Sequence, residues 1–105
     1  MDKIASLREI LEQEPRNALA RYGLAMEYAG HGETEAAMGE FDRLRSEHPD
    51  YTAGYFMAAQ TLARAGREAE AKQRLADGIA CARRTGNQHA LREMQAMLDE
   101  MEVPE

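Results

Sequence analysis

The chain is expected to be all-α, an antiparallel array of about six helices, and three observations point there. Apolar residues recur at i, i+3, i+4 and i+7 along nearly the whole length, the spacing that gathers them on one side of a helix. Gly, Pro and Asn interrupt that pattern at regular places. The pattern also repeats itself: Leu24, Ala25, Tyr28, Ala37, Phe41 and Pro49 stand 34 positions before Ala58, Ala59, Leu62, Ala71, Leu75 and Arg83. Gly32 and Gly66 keep the same interval of 34, as do Pro15 and Pro49.

Each element follows from its own residues. Between Asp2 and Glu14, Ile4, Leu7, Ile10 and Leu11 recur at helical spacing with charges between them. Asp2 suits the N-cap, and Pro15 closes the helix. Asn17 caps a second helix reaching about Ala29, and Gly30-His31-Gly32 supplies a tight reversal that glycine makes without strain. A return helix starts at Glu33 or Thr34 and runs through Phe41 and Leu44 to Glu47, where His48-Pro49-Asp50 breaks it. The next helix spans about Thr52 to Ala65, turns at Gly66, and returns from Glu68 to Arg83. Thr85-Gly86-Asn87 marks another stop and restart. The last helix, Asn87 to Met101, carries an apolar stripe of Leu91, Met94, Leu98 and Met101, with Ala90 and Met97 alongside. Val103-Pro104-Glu105 is expected to fray.

Small and large apolar residues punctuated at this period resemble the tetratricopeptide repeat, whose pattern is Trp-x2-Leu-Gly-x2-Tyr, then Ala-x3-Phe, then Pro. The first copy matches with Leu24, Ala25, Tyr28, Ala37, Phe41 and Pro49, and has Arg21 in the Trp place. The second has Tyr55 in the Trp place, then Ala58, Ala59, Leu62, Ala71 and Leu75, and lacks the closing Pro. The two copies cover residues 18–85. The spacing also has a physical reason independent of any family. Ala25 and Ala37, like Ala59 and Ala71, would sit where two antiparallel helices approach most closely. The expected layout is one domain over residues 1–105: a half-repeat helix at 2–14, repeats at 17–49 and 52–85, and a covering helix at 87–102. In the last segment the 34-residue register would bury His89, Arg92 and Glu93, so that helix is expected to be shifted by about two residues, with one wet face.

At 105 residues the chain suits a single core, and 44% hydrophobic with 30% charged residues is a globular composition. No apolar run of about 18 residues exists, so no membrane span is expected. The start, Met1-Asp2-Lys3-Ile4, does not read as a secretory leader. With 13 Lys plus Arg against 19 Asp plus Glu and no basic cluster beyond Arg83-Arg84, nucleic acid is not an expected partner. Basic polar faces are lacking too, which argues against membrane-surface binding. The single cysteine, Cys81, allows no internal disulfide and fits the cytoplasm; it reads as a small residue beside the core.

The helix beginning each hairpin is apolar on two sides. Leu24, Ala25 and Tyr28 serve the core, while Leu19, Tyr22, Met26 and Ala29 lie roughly 130° away. In the second copy Ala58, Ala59 and Leu62 face inward, while Ala53, Phe56, Met57, Gln60, Ala63 and Arg64 form the other stripe. In the family this resembles, such stripes line a concave groove that holds a peptide or a partner helix. The resemblance therefore implies a protein-interaction module whose partner-binding residues are Leu19, Tyr22, Met26, Phe56, Met57, Gln60 and Arg64, with Arg64 placed for a carboxylate. The alternative is a homo-oligomerisation module whose groove is closed by a second copy of the chain. The Lys, Arg and Asn clamp with which some family members grip a chaperone's terminal carboxylate is not matched, since Tyr22, Met26 and Met57 occupy comparable places. No catalytic residue, cofactor or metal is expected: His31 and His48 fall at opposite ends of one hairpin, His89 with Glu93 is a surface i, i+4 pair, and no catalytic or phosphate-binding motif appears.

Overall fold

A computed structural model describes residues 2–103, and the regular structure among them is six α-helices. They are α1 (Lys3–Gln13), α2 (Ala18–Gly30), α3 (Thr34–Glu47), α4 (Thr52–Arg64), α5 (Glu68–Thr85) and α6 (Gln88–Met101). Polar side chains start three of them. Asp2 Oδ1 accepts the Ile4 amide at 3.0 Å, Asn17 Oδ1 that of Ala20 at 2.9 Å, and Asn87 Oδ1 that of Ala90 at 3.0 Å. Each cap satisfies an amide that the first helical turn leaves without a partner.

Gly32 and Gly66, at the same place in two hairpins, take φ of +75° and +78°, a left-handed conformation that a side chain would strain. Between them the chain folds into antiparallel pairs α2–α3 and α4–α5, with α1 packed on α2, α3 on α4 and α6 on α5. The four alanines of the repeat pattern, Ala25, Ala37, Ala59 and Ala71, are fully buried. Phe41, Leu62 and Leu75 fill the space beside them, and Tyr28 closes the first hairpin.

Some helix ends differ from the sequence-based expectation. α5 runs to Thr85 rather than Arg83, because Arg83 occupies the place that Pro49 holds one repeat earlier and nothing breaks the helix until Gly86, at φ +71°. α4 ends one residue earlier, at Arg64. Of the expected frayed tail, Val103 lies beyond α6 and is exposed, while Pro104 and Glu105 fall outside the described residues.

The even-numbered helices form one layer in which α2 touches α4 and α4 touches α6. The odd-numbered helices make no such backbone contacts with one another, so the stack is closed on the even side and splayed on the odd side. That difference in spacing is the curvature: α2, α4 and α6 line the inner face. On the outer side charges bridge the gap between successive repeats. Arg45 meets Asp77 at 3.2 Å, Arg84 meets Asp50 at 2.7 Å, and Arg74 and Arg67 pair with Asp42 and Glu35.

Candidate functional site

The inner face is built from side chains that the hairpin cores do not use up. On α2, Tyr22 and Met26 are half-buried: each packs against the first core cluster and keeps part of its surface toward solvent. On α4, Met57 does the same against that cluster and Phe56 against the second, where Ala90 and Leu91 of α6 join it. Gln60 is half-buried beside them, and Arg64 is exposed at the C-terminal end of α4. Tyr22, Met26, Phe56, Met57, Gln60 and Arg64 thus occupy two adjacent helices of one layer. Leu19 stands apart from them. It is 71% exposed and lines a recess with Leu7, Ile10 and Ala20 on the flank where α1 meets α2.

Two recesses border the apolar row. One of about 210 Å³ lies between the starts of α4 and α6, with Phe56 and Ala53 on one wall and His89, Ala90 and Glu93 on the other. α6 therefore extends the inner layer rather than closing over it, although Met101 at its far end packs against both core clusters. The second, about 480 Å³, lies between the turns that end α2 and α4, and Arg64, Thr34 and Thr61 reach it. Arg64 forms no ion pair within 4.0 Å among the described residues, so its charge is open to a ligand.

Sequence reasoning missed two contributors. Tyr51, in the loop before α4, stacks on Tyr22 with ring centroids 5.4 Å apart and planes at 44°. That geometry suits aromatic attraction and holds the Tyr22 ring in place. Burial raises the pKa of both phenols, and at Tyr22 the neighbouring Tyr51 adds to it. The signal for Tyr51 was faint, because it lies outside any helical pattern and its counterpart one repeat earlier is Asn17.

The second is Arg21, in the place of the family's tryptophan and only 6% exposed. Its guanidinium meets Glu40 Oε1 at 2.6 Å and donates to the Pro15 carbonyl at 2.9 Å, and its Nε lies 3.7 Å from Glu47 Oε1. It reads as a structural clamp between the loop before α2 and helix α3.

The histidines stay where their spacing put them. His31 lies 3.9 Å from Glu27, His48 Nε2 is 2.8 Å from the Arg16 carbonyl oxygen, and His89 lies 3.1 Å from Glu93. Among the described residues no three His, Cys, Asp or Glu side chains gather around one point. Cys81 is fully buried between Thr52 and the Pro49 carbonyl.

The comparisons with known proteins agree with this architecture. The tetratricopeptide repeat family matches residues 28–94. A TPR repeat-containing protein of Pseudomonas aeruginosa is 31% identical over 99 residues, which is 94% of either chain. The solution structure of a Bordetella parapertussis protein superposes with a TM-score of 0.83 at 28% identity, covering 96% of this chain and 88% of that one. A tetratricopeptide repeat domain protein from Salinibacter ruber, also solved in solution, gives 0.80 at 32% identity over 87% of this chain and 92% of its own.

Proposed function

The chain belongs to the tetratricopeptide repeat family, whose fold generally mediates protein–protein interaction, and from that premise we propose that it docks a short segment of a partner protein on its inner face. The segment is an extended peptide or amphipathic helix with apolar side chains, and it carries a carboxylate toward Arg64. The observation that supports this is the row of half-buried Tyr22, Met26, Phe56 and Met57 on touching helices of one layer. Their packing against the core holds them in position before any ligand arrives, which removes part of the ordering cost of association. Aromatic rings supply rigid contact area, and the two methionines adapt to an irregular apolar surface. The module acts by shape and charge complementarity without chemistry on the ligand, and the lone buried cysteine suits a reducing compartment such as the cytoplasm.

Affinity capture from the native cell, run in parallel with wild-type protein and Phe56→Glu, tests the proposal. A partner that uses the inner face is retained by the first and lost by the second, while far-UV circular dichroism stays unchanged. Partners retained equally by both proteins would place recognition elsewhere. Arg64→Ala is expected to weaken that same partner by about tenfold if a carboxylate is bound, within the range of a charge-assisted hydrogen bond.

A further inference from the structure

We propose that a second copy of this chain covers the flank formed by α1 and α2, giving a two-fold dimer that leaves the inner face free. The inference starts from a mismatch between places that the repeat makes equivalent. Ile10, Asn17, Leu19 and Ala20 stand 34 residues before Leu44, Tyr51, Ala53 and Gly54. At the interior junction Leu44 is 1% exposed: it packs into the space that Gly54 leaves, and α2 lays Tyr22 over Tyr51. At the α1–α2 junction none of the six described helices stands where α2 stands for α3. There Ile10 is 40% and Leu19 71% exposed, around an open recess of about 180 Å³. Among the described residues this flank is an apolar position left open.

The stripe that borders it is complementary to itself. Lys3, Leu7 and Ile10 follow one another along α1 at four and three residues, the spacing of one helix face, and the C-cap residue Glu14 follows four further on. Set antiparallel against a second copy, that stripe pairs Lys3 with Glu14 and Leu7 with Ile10, each pair occurring twice by symmetry. Leu19 projects beside it and can enter the partner copy's recess, a knob and a hole supplied by the same surface, as an isologous contact requires. The Lys3 side chain is 80% exposed and its ammonium pairs within the chain with Glu27 at 3.7 Å, a loose surface pair that it can exchange for Glu14 of the second copy. Among the described residues the other end of the stack presents a polar face, with His89, Arg92 and Glu93 of α6 all exposed. Association therefore closes at two copies instead of growing head to tail.

Sedimentation equilibrium of the purified chain, from micromolar to near-millimolar concentration, tests this with four variants. Wild type is expected to dimerise, and Leu19→Glu, at an exposed site, to be monomeric with an unchanged circular dichroism spectrum. Lys3→Glu alone replaces two attractions with two repulsions and is expected to weaken the dimer by about tenfold. Lys3→Glu combined with Glu14→Lys is expected to restore it. Acid in the first turn and base after the last favour α1 itself, so a weakened dimer in the single variant does not come from a weakened helix. Phe56→Glu is expected to dimerise like wild type, which separates this proposal from the fate of the inner face. A wild-type monomer throughout would overturn it, including the case where Leu19→Glu loses a foreign partner instead. So would a dimer that ignores the charge swap, or one abolished by Phe56→Glu.

Discussion

Arg21 illustrates how one residue changes the character of a repeat without changing its shape. A tryptophan at this place would fill space; the arginine fills it with an aliphatic stem and then needs partners for its charge, which Glu40, Glu47 and the Pro15 carbonyl provide. Truncation leaves the partly buried Glu40 and Glu47 carboxylates without that cation, so Arg21→Ala should cost about 3 kcal/mol in urea unfolding. The exposed Arg43→Ala should stay within about 0.5 kcal/mol. Glu47 also sets a pH dependence. Burial favours its neutral form, but the Arg43 hydrogen bond and the charges of Arg43, Arg21 and Arg16 outweigh that and hold its pKa below the ordinary 4.5. A depressed folded-state pKa contributes stability above pH 4.5 that disappears as pH falls through the folded value. The midpoint of thermal unfolding should therefore drop on acidification, and Glu47→Gln should flatten that drop. At the alkaline end the sign reverses: Tyr22, Tyr51 and Tyr55 have pKa values raised by burial above 10, so the unfolded chain ionises first and stability falls as pH climbs past 10.

Among the elements, the junction of α5 with α6 departs furthest from the repeat, and a glycine explains how. Gly78 stands where the preceding repeat has Leu44. A methyl group placed there would sit 2.4 Å from Met94 Sδ and 2.7 Å from Tyr55 Cβ, because Met94 of α6 has taken the room of the missing side chain. Gly78→Ala should thus destabilise by about 1–3 kcal/mol through overpacking despite the better helix propensity of alanine. Combined with Met94→Ala, which vacates part of that space, it should cost less than the sum of the two single changes. At the hairpins, Ala37→Leu should cost about 1–3 kcal/mol in the same assay, since Ala37 is fully buried where α2 and α3 meet. The existence and order of these elements were legible because Asn, Gly and Pro sit at each boundary and the alanines recur at fixed spacing. The stripe of α6 was legible as well, with Met94 at its centre. Its accommodation was not: a glycine inside a helical pattern announces only that something comes close, and the neighbour lies 16 residues further along the chain.

For the whole molecule, the curvature that makes an inner face follows from contacts present in one layer and lacking in the other. No single segment encodes it; it emerges when two hairpins and two flanking helices stack. The sequence therefore indicated which side chains are left over after the cores are filled, Tyr22, Met26, Phe56 and Met57 among them. It did not separate Leu19, which lies on the flank where α1 meets α2, beside Leu7 and Ile10 and away from the row on α2 and α4. Tyr51 escaped for the opposite reason, as a loop residue brought onto Tyr22 only by the stacking of α4 beside α2. The central claim concerns that inner layer, and amide chemical-shift mapping during titration with the captured partner's segment addresses it directly. Shifts are expected to concentrate on α2 and α4, at Tyr22, Met26, Phe56, Met57 and Gln60, while the outward sides of α1, α3 and α5 stay quiet. Shifts confined to the odd-numbered helices, with those five amides unmoved, would contradict it.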